Sequence, residues 1–189
     1  MTAMKESSEV RLIVMVKSAL KNVTGWALLA AAVGIFYDEY ASRVLGQDVS
    51  VGLIPAYLGV TVGMVGLVLV VRRLVGGIPA FLAGTGTLGA FVFFYTYPSN
   101  ATIGGIGSIL VGIALLFLPP AGRLASPLWV GAGVLGIPVL ISGRPEWGPV
   151  SGFTLLGAAL AASGAFVLWG MDRRDRSGEY MAAGVGEPA

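Results

Sequence analysis

The residues with the best claim to chemistry in this chain are three carboxylates and a scatter of hydroxyls. Asp38 and Glu39 are adjacent and Asp48 follows shortly after. Three carboxylates at one mouth of a membrane protein attract cations and, given enough oxygen ligands, hold a divalent ion. The plainer alternative is a solvated loop. Thr61, Thr85, Thr87, Ser108, Thr154 and Ser163 are the hydroxyls inside otherwise apolar runs. Such groups either line a path for a small neutral solute or bond to a carbonyl of the preceding turn or of a neighbouring helix.

The missing residue types narrow the chemistry. The sequence has no His and no Cys. Imidazole proton relays, Ser-His triads, His-based zinc or haem ligation, thiolate ligands and disulfides are therefore excluded. The run Gly84-Thr85-Gly86-Thr87-Leu88-Gly89 has a glycine spacing like that of a dinucleotide loop, but it lies in an apolar segment with no preceding strand. No catalytic residue, metal ligand or cofactor is expected, and an enzyme is the least supported function class.

Small residues recur at four-residue spacing: Gly59 and Gly63, then Gly104, Ser108 and Gly112, then Gly157, Ala161 and Ala165. This spacing puts them on one helix face and lets backbones approach where lipid supplies no hydrophobic drive. They serve either packing within the chain or contact with a second copy or another membrane subunit. Pro55, Pro79 and Pro138 fall at the start of or inside apolar runs. Pro79 is tolerated near a helix start, whereas Pro55 and Pro138 mark expected kinks, the alternative being a broken helix of the type that lines transporter sites.

The elements that must position these residues follow from composition. Of 189 residues, 56% are hydrophobic and 12% charged, against roughly 25% charged in soluble domains. The chain is expected to be an all-α integral membrane protein, a bundle of six transmembrane helices built from three hairpins. The spans are Val23 to Tyr37 or Tyr40, Val51 to Val71, Val75 to Tyr97, Ala101 to Leu118, Leu128 to Ser142 and Val150 to Met171. Arg72 and Arg73 mark the turn between the second and third, and Pro119-Pro120 ends the fourth. The fifth is short for a hydrocarbon core of about 30 Å. Residues 1–22 form a basic amphipathic helix, either in the headgroup layer or extending the first span. Residues 23–171 are the membrane domain, its first span an uncleaved signal anchor, and 172–189 a disordered cytoplasmic tail.

Orientation follows from the placement of Lys and Arg, because short basic loops stay in the cytoplasm. With six spans and the N-terminus inside, inner segments hold Lys5, Arg11, Lys17, Lys21, Arg72, Arg73, Arg123, Arg173, Arg174 and Arg176. Only Arg43 and Arg144 lie outside. Omitting the fifth span would move the last three arginines outward. Trp26, Trp129 and Trp169 mark the inner headgroup belt, and Tyr37, Tyr40, Tyr57, Tyr95, Tyr97 and Trp147 the outer one. Arg72, Arg123 and Arg173 recur at about 50 residues, a faint sign of three duplicated hairpins. Asn100-Ala101-Thr102, a glycosylation pattern of little weight, faces outside.

The expected protein is a multi-pass plasma-membrane protein of prokaryotic type with both termini in the cytoplasm. Its partners are the lipid bilayer and either a second copy or another membrane subunit. Its net charge of +2 does not imply nucleic acid, because the cations sit in short flanks beside apolar runs. The favoured role is a non-enzymatic accessory or scaffold bundle. The alternative is a transporter or channel for a small neutral solute, lined by Thr61, Thr85, Thr87 or Ser108.

Overall fold

A computed structural model describes residues 2–44, 53–96, 101–142 and 152–171, with the side chains of 15–41, 56–92, 102–135 and 154–171. Apolar runs punctuated by Pro, Gly and Arg become helices, and no strand occurs among the described residues. The elements are α1 (Thr2–Val44), α2 (Leu53–Leu74), α3 (Gly77–Thr96), α4 (Ala101–Leu115), the single turn α5 (Pro120–Arg123), α6 (Ser126–Ser142) and α7 (Gly152–Ala165). A π-helical turn, Phe166–Gly170, continues α7.

Helix α1 is 43 residues long, about 65 Å at 1.5 Å per residue. It passes Asn22 without a break, so the basic segment extends the first apolar helix. Met15 to Ala19 are exposed along it. Helix α2 gives way to α3 at Val75 and Gly76, where Gly76 and Gly77 adopt φ of 59° and 47°, a left-handed conformation that glycine enters without a steric penalty. The Gly76 N–H returns to the Val71 carbonyl at 3.3 Å.

Helix α4 ends three residues earlier than the expected Leu118. Its last turn tightens into i→i+3 bonds from Leu116, Phe117 and Leu118, and Pro119 stops it for want of a backbone N–H. Helix α6 starts at Ser126, with Pro127 in its first turn where a missing N–H costs nothing. It runs for 17 residues, through Pro138. Pro55 lies in the first turn of α2, so the kink expected there does not arise: the helix begins only two residues before it.

The helices pack in a closed cycle, α1 on α2, α2 on α3, α3 on α4, α4 on α6, α6 on α7 and α7 back on α1. Every long seam whose register can be read is antiparallel. Gly59, Gly63 and Gly66 of α2 meet Ala31, Leu28 and Thr24 of α1 in descending order. Gly112 and Gly133 set α4 against α6 through Val130 and Ile109. Gly157 and Gly164 of α7 meet Phe36 and Leu29 of α1. Leu28, Met64, Leu67, Val111, Leu115, Trp129, Leu160 and Val167 fill the interior.

The outward faces are apolar as well. On α1 the exposed stripe is Val23, Trp26, Ala30, Val33, Tyr37 and Tyr40, on α2 it is Leu58, Val62, Val65 and Leu69, and on α3 Ile78, Phe81, Thr85, Leu88 and Val92. Ile78, Phe81 and Leu88 are 73%, 72% and 65% exposed. Two segments, Met15–Ala41 and Ala56–Leu74, are long and apolar enough to cross a membrane. The other apolar helices are shorter over their described parts: Gly77–Val92, Thr102–Leu115 and Thr154–Gly170.

Candidate functional site

Three places bring described polar side chains of different elements together. The first is the end of the bundle where α2 turns into α3. Because Gly66 meets Thr24, continuing both helices brings Arg72 and Arg73 of α2 level with Lys17 and Lys21 of α1. Gly122 of α5 meets Phe166 and Gly170 meets Ala121, which places Arg123 at the same end. Its Nε donates to the Leu118 carbonyl at 2.6 Å, fixing the guanidinium over the end of α4. Lys17, Arg72, Arg73 and Arg123 are exposed.

Two unusual features lie just inside this end. The π turn Phe166–Gly170 packs on α1 and α5, with Leu168 against Gly25. Turns of this kind leave the regular i→i−4 ladder and are rare in helices. One turn away, the Thr24 Oγ1 is buried against Gly66 with no hydrogen-bond partner. Other buried hydroxyls do find partners, as Ser126 does in the Gly112 carbonyl at 2.7 Å.

The second place is the opposite end. Asp38 and Glu39 are half-buried on the helical stretch of α1, so the solvated loop weighed for them is corrected: α1 continues to Val44 and holds both against the bundle. Thr154 of α7 donates to Glu39 Oε2 at 3.0 Å. Asp48 lies outside the described residues. No group of three His, Cys, Asp or Glu that could hold a metal occurs among the described residues. Arg43 occupies the last turn of α1 at this end.

The third place is the α6/α7 seam. Trp129 is 1% exposed, and its Nε1–H donates to Ser163 Oγ at 3.0 Å. Ser163 in turn donates to the Ala159 carbonyl at 2.8 Å. Trp129 is thus a core residue with its one polar atom satisfied, and its assignment to the headgroup belt is corrected. It sits one turn into α6, where the ring faces α7. Trp26 and Trp169 are exposed near the basic end, and Tyr37 and Tyr40 near the acidic end. Tyr95, Tyr97 and Trp147 have no described side chains.

The hydroxyls singled out in the sequence do not converge. Thr61 donates to the Tyr57 carbonyl of its own helix at 2.8 Å. Thr85 is exposed on the outer stripe of α3, whereas Thr87 is buried. Ser108 is buried on α4. Of the small residues, Gly59 and Gly63 lie against α1, Gly112 against α6 and Gly157 against Phe36. Gly104 is buried, and Ala161 and Ala165 are half-buried on α7.

One close seam escaped the four-residue pattern. Gly86 and Gly89 of α3 straddle Gly107 of α4, and a Cβ on Gly86 would stand 2.6 Å from the Gly107 carbonyl oxygen. These glycines are three apart, a spacing that shares a helix face as four does. The glycine run dismissed as a dinucleotide loop is therefore a helix-packing surface. Nothing in the sequence marks the Trp129–Ser163 pair, because the partners lie on different helices. No protein-family model matches this chain, and no curated protein or solved structure is significantly similar to it.

Proposed function

We propose that the chain is a six-span membrane bundle acting as a non-enzymatic scaffold or accessory subunit, with both termini in the cytoplasm. The observation that carries this reading is the apolar outward stripe on α1, α2 and α3. Exposed apolar surface of this extent is unstable in water and at home in lipid. The antiparallel packing of α1, α2, α3, α4, α6 and α7 supports this reading, because six crossings, an even number, would leave both ends on one side. Helix α2, with 22 residues, measures about 33 Å, close to the thickness of a hydrocarbon core. Lys17, Lys21, Arg72, Arg73 and Arg123 gather at one end, and the positive-inside rule assigns that end to the cytoplasm.

Interior chemistry is sparse in the described seams. Glycine meets backbone at Gly59, Gly86 and Gly107, and the buried hydroxyls of Ser126 and Ser163 are engaged with carbonyls. Those features suit a rigid body that presents lipid-facing stripes to another subunit or to a second copy. The dispersal of Thr61, Thr85 and Thr87 gives little support to a solute path.

Reconstitution tests the reading. Proteoliposomes holding the full chain are expected to shrink and swell in glycerol or urea gradients at the rate of protein-free vesicles, and crosslinking in native membranes to give an assembly of fixed stoichiometry. Faster solute-driven swelling would overturn the scaffold in favour of a neutral-solute transporter.

A further inference from the structure

We infer that the basic end of the bundle is a binding surface for anionic phospholipids, whose phosphodiester headgroups it takes from the surrounding leaflet. The inference rests on the membrane reading above and adds a ligand class to it. Its starting point is convergence. Lys17, Arg72, Arg73 and Arg123 come from three elements far apart in sequence, yet the antiparallel seams bring all four to one end. All four are exposed, whereas the two carboxylates with described side chains, Asp38 and Glu39, stand at the far end.

The cations also lie at headgroup depth. Arg72 and Arg73 occupy the last turn of α2, directly after the exposed stripe that ends at Leu69. Trp26, Trp169 and Leu124, all exposed, accompany the cations at this end. Apolar side chains rimmed by cations are the arrangement that meets acyl chains and phosphates together. Arg123 is held in a geometry suited to phosphate. Its Nε is held by the Leu118 carbonyl, which orders the guanidinium and leaves its remaining N–H donors for bidentate contact with a phosphate.

Phosphate is the chemistry recognised, and the lipid headgroup is the source. Native mass spectrometry of the full chain in detergent, with equimolar phosphatidylglycerol and phosphatidylcholine of identical acyl chains, tests this. Phosphatidylglycerol is expected to be retained preferentially, and the preference to fall about five-fold for each cation removed in R72Q, R73Q and R123Q. Arg43→Gln, at the opposite end, is expected to leave it unchanged, and far-ultraviolet circular dichroism to show that each variant folds. Equal retention of the two lipids, or an equal loss in R43Q, would overturn the inference. Displacement of phosphatidylglycerol by millimolar inorganic phosphate would also overturn it, because the surface would then serve a free anion. A chain that labels as six-span but shows no lipid preference removes this inference alone and leaves the membrane reading standing.

Discussion

Adding one methyl group to Gly86 should destabilise the bundle, while the same change at Gly84 on the same helix should not. A Cβ at position 86 would lie 2.6 Å from the Gly107 oxygen and 2.9 Å from the Val111 nitrogen, both backbone atoms, where ordinary contact begins at 3.4 Å. Backbone inside α4 cannot swing aside as a side-chain tip can, so the two helices must separate. The shortfall of about 0.8 Å is enough to forfeit a quarter to a half of each dispersion contact across the seam. Overpacking of this kind costs roughly 1–3 kcal/mol. At about 2 kcal/mol the folded-to-unfolded ratio of Gly86→Ala would fall some 30-fold. Position 84 has nothing within 4 Å of the added atom, so Gly84→Ala should be neutral or gain up to about 1 kcal/mol in helix propensity. Reversible unfolding in mixed micelles, followed by Trp fluorescence, measures both. Equal stability of the two variants would refute the close α3–α4 approach.

Two further substitutions test the interior. Thr24→Val removes a buried hydroxyl that has no partner and keeps the side-chain shape, so it should stabilise the bundle by about 1 kcal/mol; a loss of that size in the same unfolding assay would mean that the hydroxyl has an essential partner. Ser163→Ala strands the buried Trp129 Nε1–H at a cost of roughly 1–3 kcal/mol, and Trp129→Phe in that background should recover part of it. Additive losses in that double-mutant cycle would count against the bond.

Much of the helix order can be read in the sequence because apolar runs punctuated by Pro, Gly and Arg have few options besides a helix. Pro119 marks a helix end through the loss of an N–H, a local property; the turn expected at Arg72-Arg73 falls a few residues later, at Gly76 and Gly77, inside the span expected to begin at Val75. Other features depend on partners remote in sequence. Trp129 reads as a belt residue from its neighbours alone, and only Ser163 on another helix makes it a core residue. Gly86 and Gly107 became visible as a pair only once α3 and α4 were set in register. The continuity of α1 through Asn22 was one of two readings open in the sequence, since a basic amphipathic segment can lie on a surface or extend a span. The carboxylate of Glu39 was legible as an unusual group, but Thr154, its donor, belongs to the last helix.

Side-specific labelling of single cysteines reads out residence in lipid and orientation together, and the absence of native Cys makes each introduced thiol unique. A membrane-impermeant maleimide applied to intact cells is predicted to label Tyr40→Cys and Thr102→Cys. It should reach Lys17→Cys, Arg72→Cys and Arg123→Cys only after the membrane is permeabilised. Labelling of positions 40 and 72 from the same side, or recovery of the folded chain in buffer without detergent, would contradict the account.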